Sequence, residues 1–315
     1  MSKLKLDNVT LLGIAGVNSE VEKFKFARDV CLHYADFERV VILTSIPELL
    51  EEKYTNRYVV DRIKPMYNLD DVAKFFISDL HNYFDTDYVL TFQSDGFILN
   101  PDAWTDEFFD YDYIGAPWSD RGIRTITDIR KILRDPGGNV SDGSKQEIKI
   151  GSSKAYVVNN VGNGGFSFRS KRLMKFVAEN IGYIKDSGGC CLTSVWIPDD
   201  NLIWIDSDSR KSKDNFQKVY ISGCVSEDNL ICKFNYEYLQ KNGFRFAKPF
   251  MASRDFSVEA STPGNKIGYS YIDASGTWEK QFGFHSLYTN LENWDDKYKF
   301  GMKKNTLYEE WNIDG

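Results

Sequence analysis

Apolar residues along this chain recur at two periods, and their order predicts strand, helix, strand. Val9–Val17 is a short apolar run bounded by turn residues, the pattern of a buried strand. Ser19-Glu20-Val21-Glu22 fits a helix capping box. Val21, Phe24, Ala27, Cys31 and Tyr34 then follow at helical spacing. Arg39–Thr44 reads as a second buried strand, and the order β-α-β favours parallel pairing. Asp70–Phe84 is expected to be helical, with Val72, Phe75, Phe76, Leu80 and Tyr83 on one face. Asp87–Phe92 is the next strand. It ends in Gln93-Ser94-Asp95-Gly96, and a short strand Phe97–Leu99 follows.

The second half is less regular. Trp104–Tyr113 is aromatic and acidic, and Ile114-Gly115-Ala116-Pro117-Trp118 is expected to turn the chain. Ser119–Ser153 is polar, contains Pro136-Gly137-Gly138, and reads as a mobile insertion. Val161–Arg169 is a glycine turn running into a strand, and Ser170 caps a helix ending near Ile181. Ser226 starts another helix, with Leu230, Ile231, Phe234 and Tyr238 on its apolar face, ending near Gly243. Phe244–Ala247 and Phe250–Phe256 look like late strands, and the tail from Gly283 looks irregular. The pattern predicts one α/β domain over residues 1–315, with a mostly parallel central sheet flanked by helices. Residues 1–100 would form a nucleotide-binding half. Residues 101–315 would shape an acceptor site, with the insertion at 119–153.

Composition narrows the function. The 315 residues are 42% hydrophobic, enough for a sizeable core. Aromatic residues, at 15%, suit a site that stacks on sugar rings and equally suit ordinary core packing. Net charge is −7 with no basic stripe, which argues against a nucleic-acid partner. An acidic protein that binds an anionic nucleotide needs local compensation from a metal ion or a helix N-terminus. Five cysteines, an odd number without a CxxC pair, argue against a disulfide framework or a zinc ribbon. With neither a signal-peptide pattern nor a run able to span a bilayer, the expectation is a soluble cytoplasmic protein.

Four constellations could carry chemistry. Asp95 stands just beyond the carboxyl end of a strand, where ligands of open α/β sheets collect. A carboxylate there can hold a divalent cation that bridges two phosphates, and it is equally an ordinary turn former. Asp206-x-Asp208 is a rival after Leu202–Ile205, whereas Asp85-x-Asp87 and Asp110-x-Asp112 are poorly placed. Gly162-Asn163-Gly164-Gly165 allows close backbone approach to a ligand or a tight turn. It lacks the GxGxxG spacing, which disfavours a dinucleotide-binding oxidoreductase. Glu227 and Asp228 at a helix start complement the helix dipole, and either could serve as a general base. His285 lies in a Gly-flanked segment and could complete a manganese-like coordination sphere, while His33 and His81 look structural. Gly13, Thr44 and Ser45, on the first two strands, are assigned with Gln93, Ser94 and Asp95 to the donor side.

Taken in order, QSDG, YDYIGAPW, VGNGGFSFRS, SEDN and GFH resemble the family catalogued as domain of unknown function 5672, whose members look like GT-A glycosyltransferases. The resemblance runs from Val9 to His285. It implies that Asp95 is the acidic member of a DxD-like motif, with Gln93 in place of the first Asp. It implies that Asn163, Gly164 and Gly165 shape the donor-sugar and acceptor pocket, with Trp118 a candidate sugar platform. Glu227 and Asp228 match the pair from which the base is drawn, and His285 the late histidine that joins the metal. The implied activity is inverting transfer of a sugar from a nucleotide diphosphate sugar to a hydroxyl acceptor such as a glycan, using Mn²⁺ or Mg²⁺. Two alternatives stay open: a hydrolase of sugar nucleotides or glycosides, and a non-catalytic glycan-binding module.

Overall fold

The computed structural model describes residues 3–15, 21–50, 57–66, 69–117, 123–125, 155–157, 161–185, 191–198, 212–213, 216–222, 225–248, 251–259 and 281–285. The first half runs β1 (Leu4–Ala15), α1 (Val21–Tyr34), β2 (Ala35–Thr44), β3 (Tyr58–Arg62), α2 (Leu69–Ser78), β4 (Tyr88–Phe92), β5 (Phe97–Ile98) and β6 (Tyr113–Gly115). Then come β7 (Ile123–Thr125), β8 (Ala155–Val157), β9 (Ser167–Ser170), α3 (Lys171–Asn180), β10 (Tyr183–Lys185), β11 (Cys191–Pro198), β12 (Ser212–Lys213) and β13 (Phe216–Ser222). The last elements are α4 (Glu227–Asn229), a π-helical turn Leu230–Phe234, α5 (Tyr236–Lys241), β14 (Ser257–Glu259) and β15 (Gly283–His285).

The central sheet has six strands in the order β3-β2-β1-β4-β9-β6. β3, β2, β1 and β4 are mutually parallel, and β9 runs antiparallel to both β4 and β6. Both faces of this sheet are covered, which is why its strands read as continuous apolar runs. Leu11, Ile42, Leu90, Phe92 and Phe168 pack with Phe24, Ala27 and Val30 of α1. Their neighbours Leu12, Val41, Leu43 and Val89 point the other way, into Phe76 and Ile77 of α2 and Leu173, Met174 and Val177 of α3. Each buried Leu, Ile, Val, Phe or Met among them contributes about 1.5–3 kcal/mol. The expected mixed α/β architecture, mostly parallel and flanked by helices, is the one observed.

Local signals placed several boundaries. The Ser170 hydroxyl accepts the Leu173 N–H at 3.1 Å, capping α3. Gly243, at φ 83°, turns the chain out of the helical segment that starts at Glu227. Ser19 and Glu20 of the expected capping box lie outside the described residues.

Tyr58–Arg62, not anticipated, is an edge strand with no clear alternation, its residues half-buried or exposed. Other expectations are corrected. Ile114 and Gly115, read as the start of a turn, belong with Tyr113 to β6 of the central sheet, fixed by pairing with β9. Within the polar stretch 119–153, Ile123–Thr125 pairs antiparallel with β8, and the remainder lies outside the described residues. Phe244–Ala247 is not a strand but makes one bridge, Tyr113 to Phe246. Residues 252–256, read as a strand, form a π-helical turn before β14. Residues 283–285, read as irregular, are a strand between β14 and β5. A separate antiparallel sheet, β10-β11-β13-β12, was not anticipated. Among the described residues no helix is long and apolar enough to cross a membrane.

Candidate functional site

Strand β4 delivers Gln93-Ser94-Asp95-Gly96 as a tight turn. The Gln93 N–H donates to the Gly96 carbonyl at 3.1 Å, and the Gly96 N–H returns to the Gln93 carbonyl at 3.2 Å. This turn starts β5, whose antiparallel pairing with β15 carries His285 alongside Gly96. His285 Nε2 lies 3.4 Å from Gln93 Oε1 and 3.6 Å from Asp95 Oδ1. The Asp95 carboxylate is the more open of the two side chains, with 30% exposed against 14% for His285.

The glycine loop closes on the same histidine. Asn163 is buried at φ 67°, a left-handed backbone that Asn tolerates better than most residues. Its carbonyl accepts the Tyr113 hydroxyl at 3.1 Å, and its side-chain Oδ1 accepts the Gly165 N–H at 3.0 Å. Its Nδ2 lies 2.8 Å from His285 Nδ1. A Cβ on Gly165 would collide with His285 Nε2 and come within 2.8 Å of Gln93 Oε1. One on Gly164 would collide with Glu227 Oε1 and come within 3.2 Å of Arg169 Nη2. Glycine is required at both positions by close approach.

Beneath the loop sits a buried ion pair. Arg169 Nη2 donates to Glu227 Oε1 at 2.9 Å and to the Gly164 carbonyl at 3.3 Å, while Nε donates to Ser167 Oγ at 2.8 Å. The guanidinium packs 4.7 Å from the Phe76 ring centroid and 5.0 Å from that of Tyr113. The Gly164 carbonyl also accepts the Thr91 hydroxyl at 3.1 Å. Burial, followed by the negative charge of Asp228, pushes the Glu227 carboxyl above the usual Glu range, and Arg169 pulls it back. Asp228 is half-buried next to Glu227, and its Oδ1 accepts the Asn229 N–H at 2.6 Å.

Gln93, Asp95, Asn163, Gly164, Gly165, Glu227 and His285 therefore form one run of side chains and backbone in contact. Thr44 and Ser45 do stand at a strand end, but the Thr44 hydroxyl is spent on the Ala15 carbonyl at 2.8 Å. The Ser45 carbonyl accepts Arg62 Nη1 at 2.9 Å. Gly13 is a packing position: its backbone is paired with Ile42 and Phe92, and the rings of Phe92 and Phe24 fill the space beside it. Trp118 and the rival Asp206-x-Asp208 lie outside the described residues. The other rivals are scaffolding. Asp85 faces Arg39 at 3.3 Å, Asp87 accepts Asn8 at 2.8 Å, and Asp112 takes the Arg245 N–H at 2.9 Å and pairs with Arg172.

Arg169 and Thr91 escaped the sequence reading because both are embedded in apolar strands. The signal was the two-residue alternation of β9, which puts Ser167 and Arg169 on one side of the chain.

A divalent cation would look to Asp95, His285 and the Gln93 carbonyl. Among the described residues no group of three His, Cys, Asp or Glu converges. His285 meets the Asn163 side-chain amide through Nδ1 and turns Nε2 toward Asp95.

No curated protein matches the chain. Among solved structures, it is similar to the mannosyltransferase PcManGT from Pyrobaculum calidifontis in complex with GDP-Man and Mn²⁺, at 10% identity and a TM-score of 0.34. That likeness covers 58% of this chain and 49% of the other, so the chain spans about half the length of that enzyme. It is also similar to mouse xyloside xylosyltransferase 1 in its apo form, at 11% identity and a TM-score of 0.42, over 91% of this chain and 99% of the other. The model of a family described as a protein of unknown function (DUF5672) matches residues 57–285. Spanning most of the chain, that match makes this protein a member of the DUF5672 family.

Proposed function

We propose that this protein is a GT-A-like glycosyltransferase that moves a sugar from a nucleotide diphosphate sugar to a hydroxyl acceptor, such as a glycan, with inversion. The observation that carries the reading is the continuity of the site. A strand-end carboxylate, Asp95, meets His285, and His285 is tied through Asn163 and the two glycines to Glu227, the sequence neighbour of Asp228. The order of the motifs in the sequence agrees with it.

In this reading Asp228 is the base, with Glu227 as the second candidate. It takes the proton of the acceptor hydroxyl as that oxygen bonds to the anomeric carbon. The bond from that carbon to the diphosphate oxygen breaks, and the nucleoside diphosphate leaves with the electron pair. Glu227 is committed to Arg169 and so holds Gly164 in place. Gly164 and Gly165, against which Glu227 and His285 pack, shape the loop beside the donor sugar, while Asp95 accepts hydrogen bonds from sugar or ribose hydroxyls. Mn²⁺ or Mg²⁺, bound through one carboxylate and the substrate phosphates, would supply Lewis acidity at the diphosphate, and Asp95 is the residue to hold it.

The test is a transfer assay over a panel of nucleotide sugars and hydroxyl acceptors, following nucleoside diphosphate release. Release should be slow with water and fast with a matching acceptor. Asp95→Ala and Asp228→Asn should each abolish transfer while circular dichroism stays native. Near-normal turnover in either variant removes that residue from the mechanism, and release independent of any acceptor favours the hydrolase reading.

A further inference from the structure

We infer that Asn163 is a positioning residue that fixes His285 as its Nε2–H tautomer, so that the ring offers Asp95 and Gln93 a hydrogen-bond donor and not a metal-binding lone pair. The argument starts from a group whose polarity cannot change. The Gly165 backbone N–H can only donate, and its acceptor is Asn163 Oδ1 at 3.0 Å. That contact fixes which end of the amide is oxygen. The other end, facing His285 Nδ1 at 2.8 Å, is the NH₂ group. An amide NH₂ donates, so Nδ1 must accept, and a neutral imidazole then carries its proton on Nε2.

The surroundings oppose two alternatives, a turned amide and a moved ring proton. Asn163 is 2% exposed, so water cannot relieve a mispaired amide. Turning the amide over would set its NH₂ against the Gly165 N–H. Moving the ring proton to Nδ1 would set it against the Asn163 NH₂. The backbone cannot move away either, because Tyr113 holds the Asn163 carbonyl and the residue sits at φ 67°. Nε2–H points toward Gln93 Oε1 and Asp95 Oδ1, both acceptors, at 3.4 and 3.6 Å. These distances are longer than a good hydrogen bond, so an oxygen of a bound ligand can compete for the proton. Its use against a diphosphate oxygen rests on the transfer reading above. The tautomer itself does not.

One substitution inverts the device. Asn163→Asp keeps an acceptor for Gly165 and a side chain that tolerates the left-handed backbone, and it replaces the NH₂ with a second oxygen. Nδ1 then donates to the carboxylate and the Nε2 lone pair becomes available, the carboxylate–histidine arrangement that supports metal ligation.

The experiment is ¹⁵N-edited NMR of the imidazole nitrogens of the full chain in alkaline buffer, where the ring is neutral. The chain has three histidines, and His285→Gln identifies the resonances of interest. The expected result is an Nε2–H ring in the wild type and an Nδ1–H ring in Asn163→Asp. Mn²⁺ binding, read by electron paramagnetic resonance without nucleotide, should tighten by about 10–100-fold in Asn163→Asp and be unchanged by His285→Gln. An Nδ1–H ring in the wild type, or wild-type Mn²⁺ affinity lost in His285→Gln, overturns the inference. The wild-type spectrum decides even if the Asp variant fails to fold. Neither readout involves a sugar nucleotide, so failure here is distinct from failure of the transfer reading.

Discussion

Removing Arg169 alone from the Arg169–Glu227 pair should cost more than removing both charges. Arg169 is fully buried and the Glu227 side chain is 10% exposed, with 2.9 Å between them. Arg169→Met leaves a buried carboxylate without its counter-charge, and breaking such a pair costs about 3–5 kcal/mol. At about 1.36 kcal/mol per decade, that is two to four decades in the unfolding constant. Glu227→Gln keeps an oxygen for Nη2 but loses the charge, and should cost about 1.5–3 kcal/mol. The informative protein is the double variant. In the Arg169→Met background, Glu227→Gln discharges the orphaned carboxylate, so it should stabilise there although it destabilises the wild type. Urea unfolding followed by tryptophan fluorescence measures all four proteins, read as midpoint shifts at constant slope.

The same pair sets a pH dependence. Glu227 is already raised by burial and by Asp228, and Arg169 opposes that shift. Without Arg169 the native carboxyl holds its proton still more tightly than the unfolded one does. Its contribution to stability is then fully present below the ordinary Glu range and is lost as pH rises through the raised native value. Arg169→Met should therefore recover part of its lost stability in mild acid, and the double variant should not. Additive losses in the cycle, or a pH-independent deficit in Arg169→Met, would refute the buried-pair reasoning.

Two further outcomes follow from packing. Gly165→Ala must displace His285, so it should lose ligand binding and about 1–3 kcal/mol of stability, measured by calorimetry and urea unfolding. A variant with unaltered binding would show that the ring has room to move. Burial pushes the Cys31 thiol up to about 12, so in the native protein it should resist iodoacetamide at neutral pH and react only in urea, as read by mass spectrometry. Rapid native labelling of Cys31 would contradict that burial.

The parallel core was legible because β1, β2 and β4 are buried on both faces and their sequences carry that as unbroken apolar runs. The position of Asp95 followed from strand polarity alone. β6, β14 and β15 were not legible: each has three residues, too few to show a period, and each is defined by its partner strands. In the site, glycine spacing pointed to Gly164 and Gly165, and the resemblance pointed to Asp95, Glu227, Asp228 and His285. Arg169 stayed hidden because its charge is neutralised by a residue 58 positions away. The link from Asn163 to His285 spans 122 positions, and no local pattern encodes it. Gly13 was ambiguous because a glycine on a strand can serve a ligand or two aromatic rings, and here the rings of Phe24 and Phe92 stack 4.9 Å apart beside it.

The central claim is that the ground around Asp95 binds a sugar-bearing diphosphate. Thermal unfolding across a panel of nucleoside diphosphate sugars, with and without Mn²⁺, tests it directly. At least one member should raise the wild-type midpoint, corresponding to about 2.7 kcal/mol at a ligand concentration 100 times Kd, and should leave Asp95→Ala unmoved. A panel that shifts nothing, or a shift that survives intact in Asp95→Ala, would contradict the account.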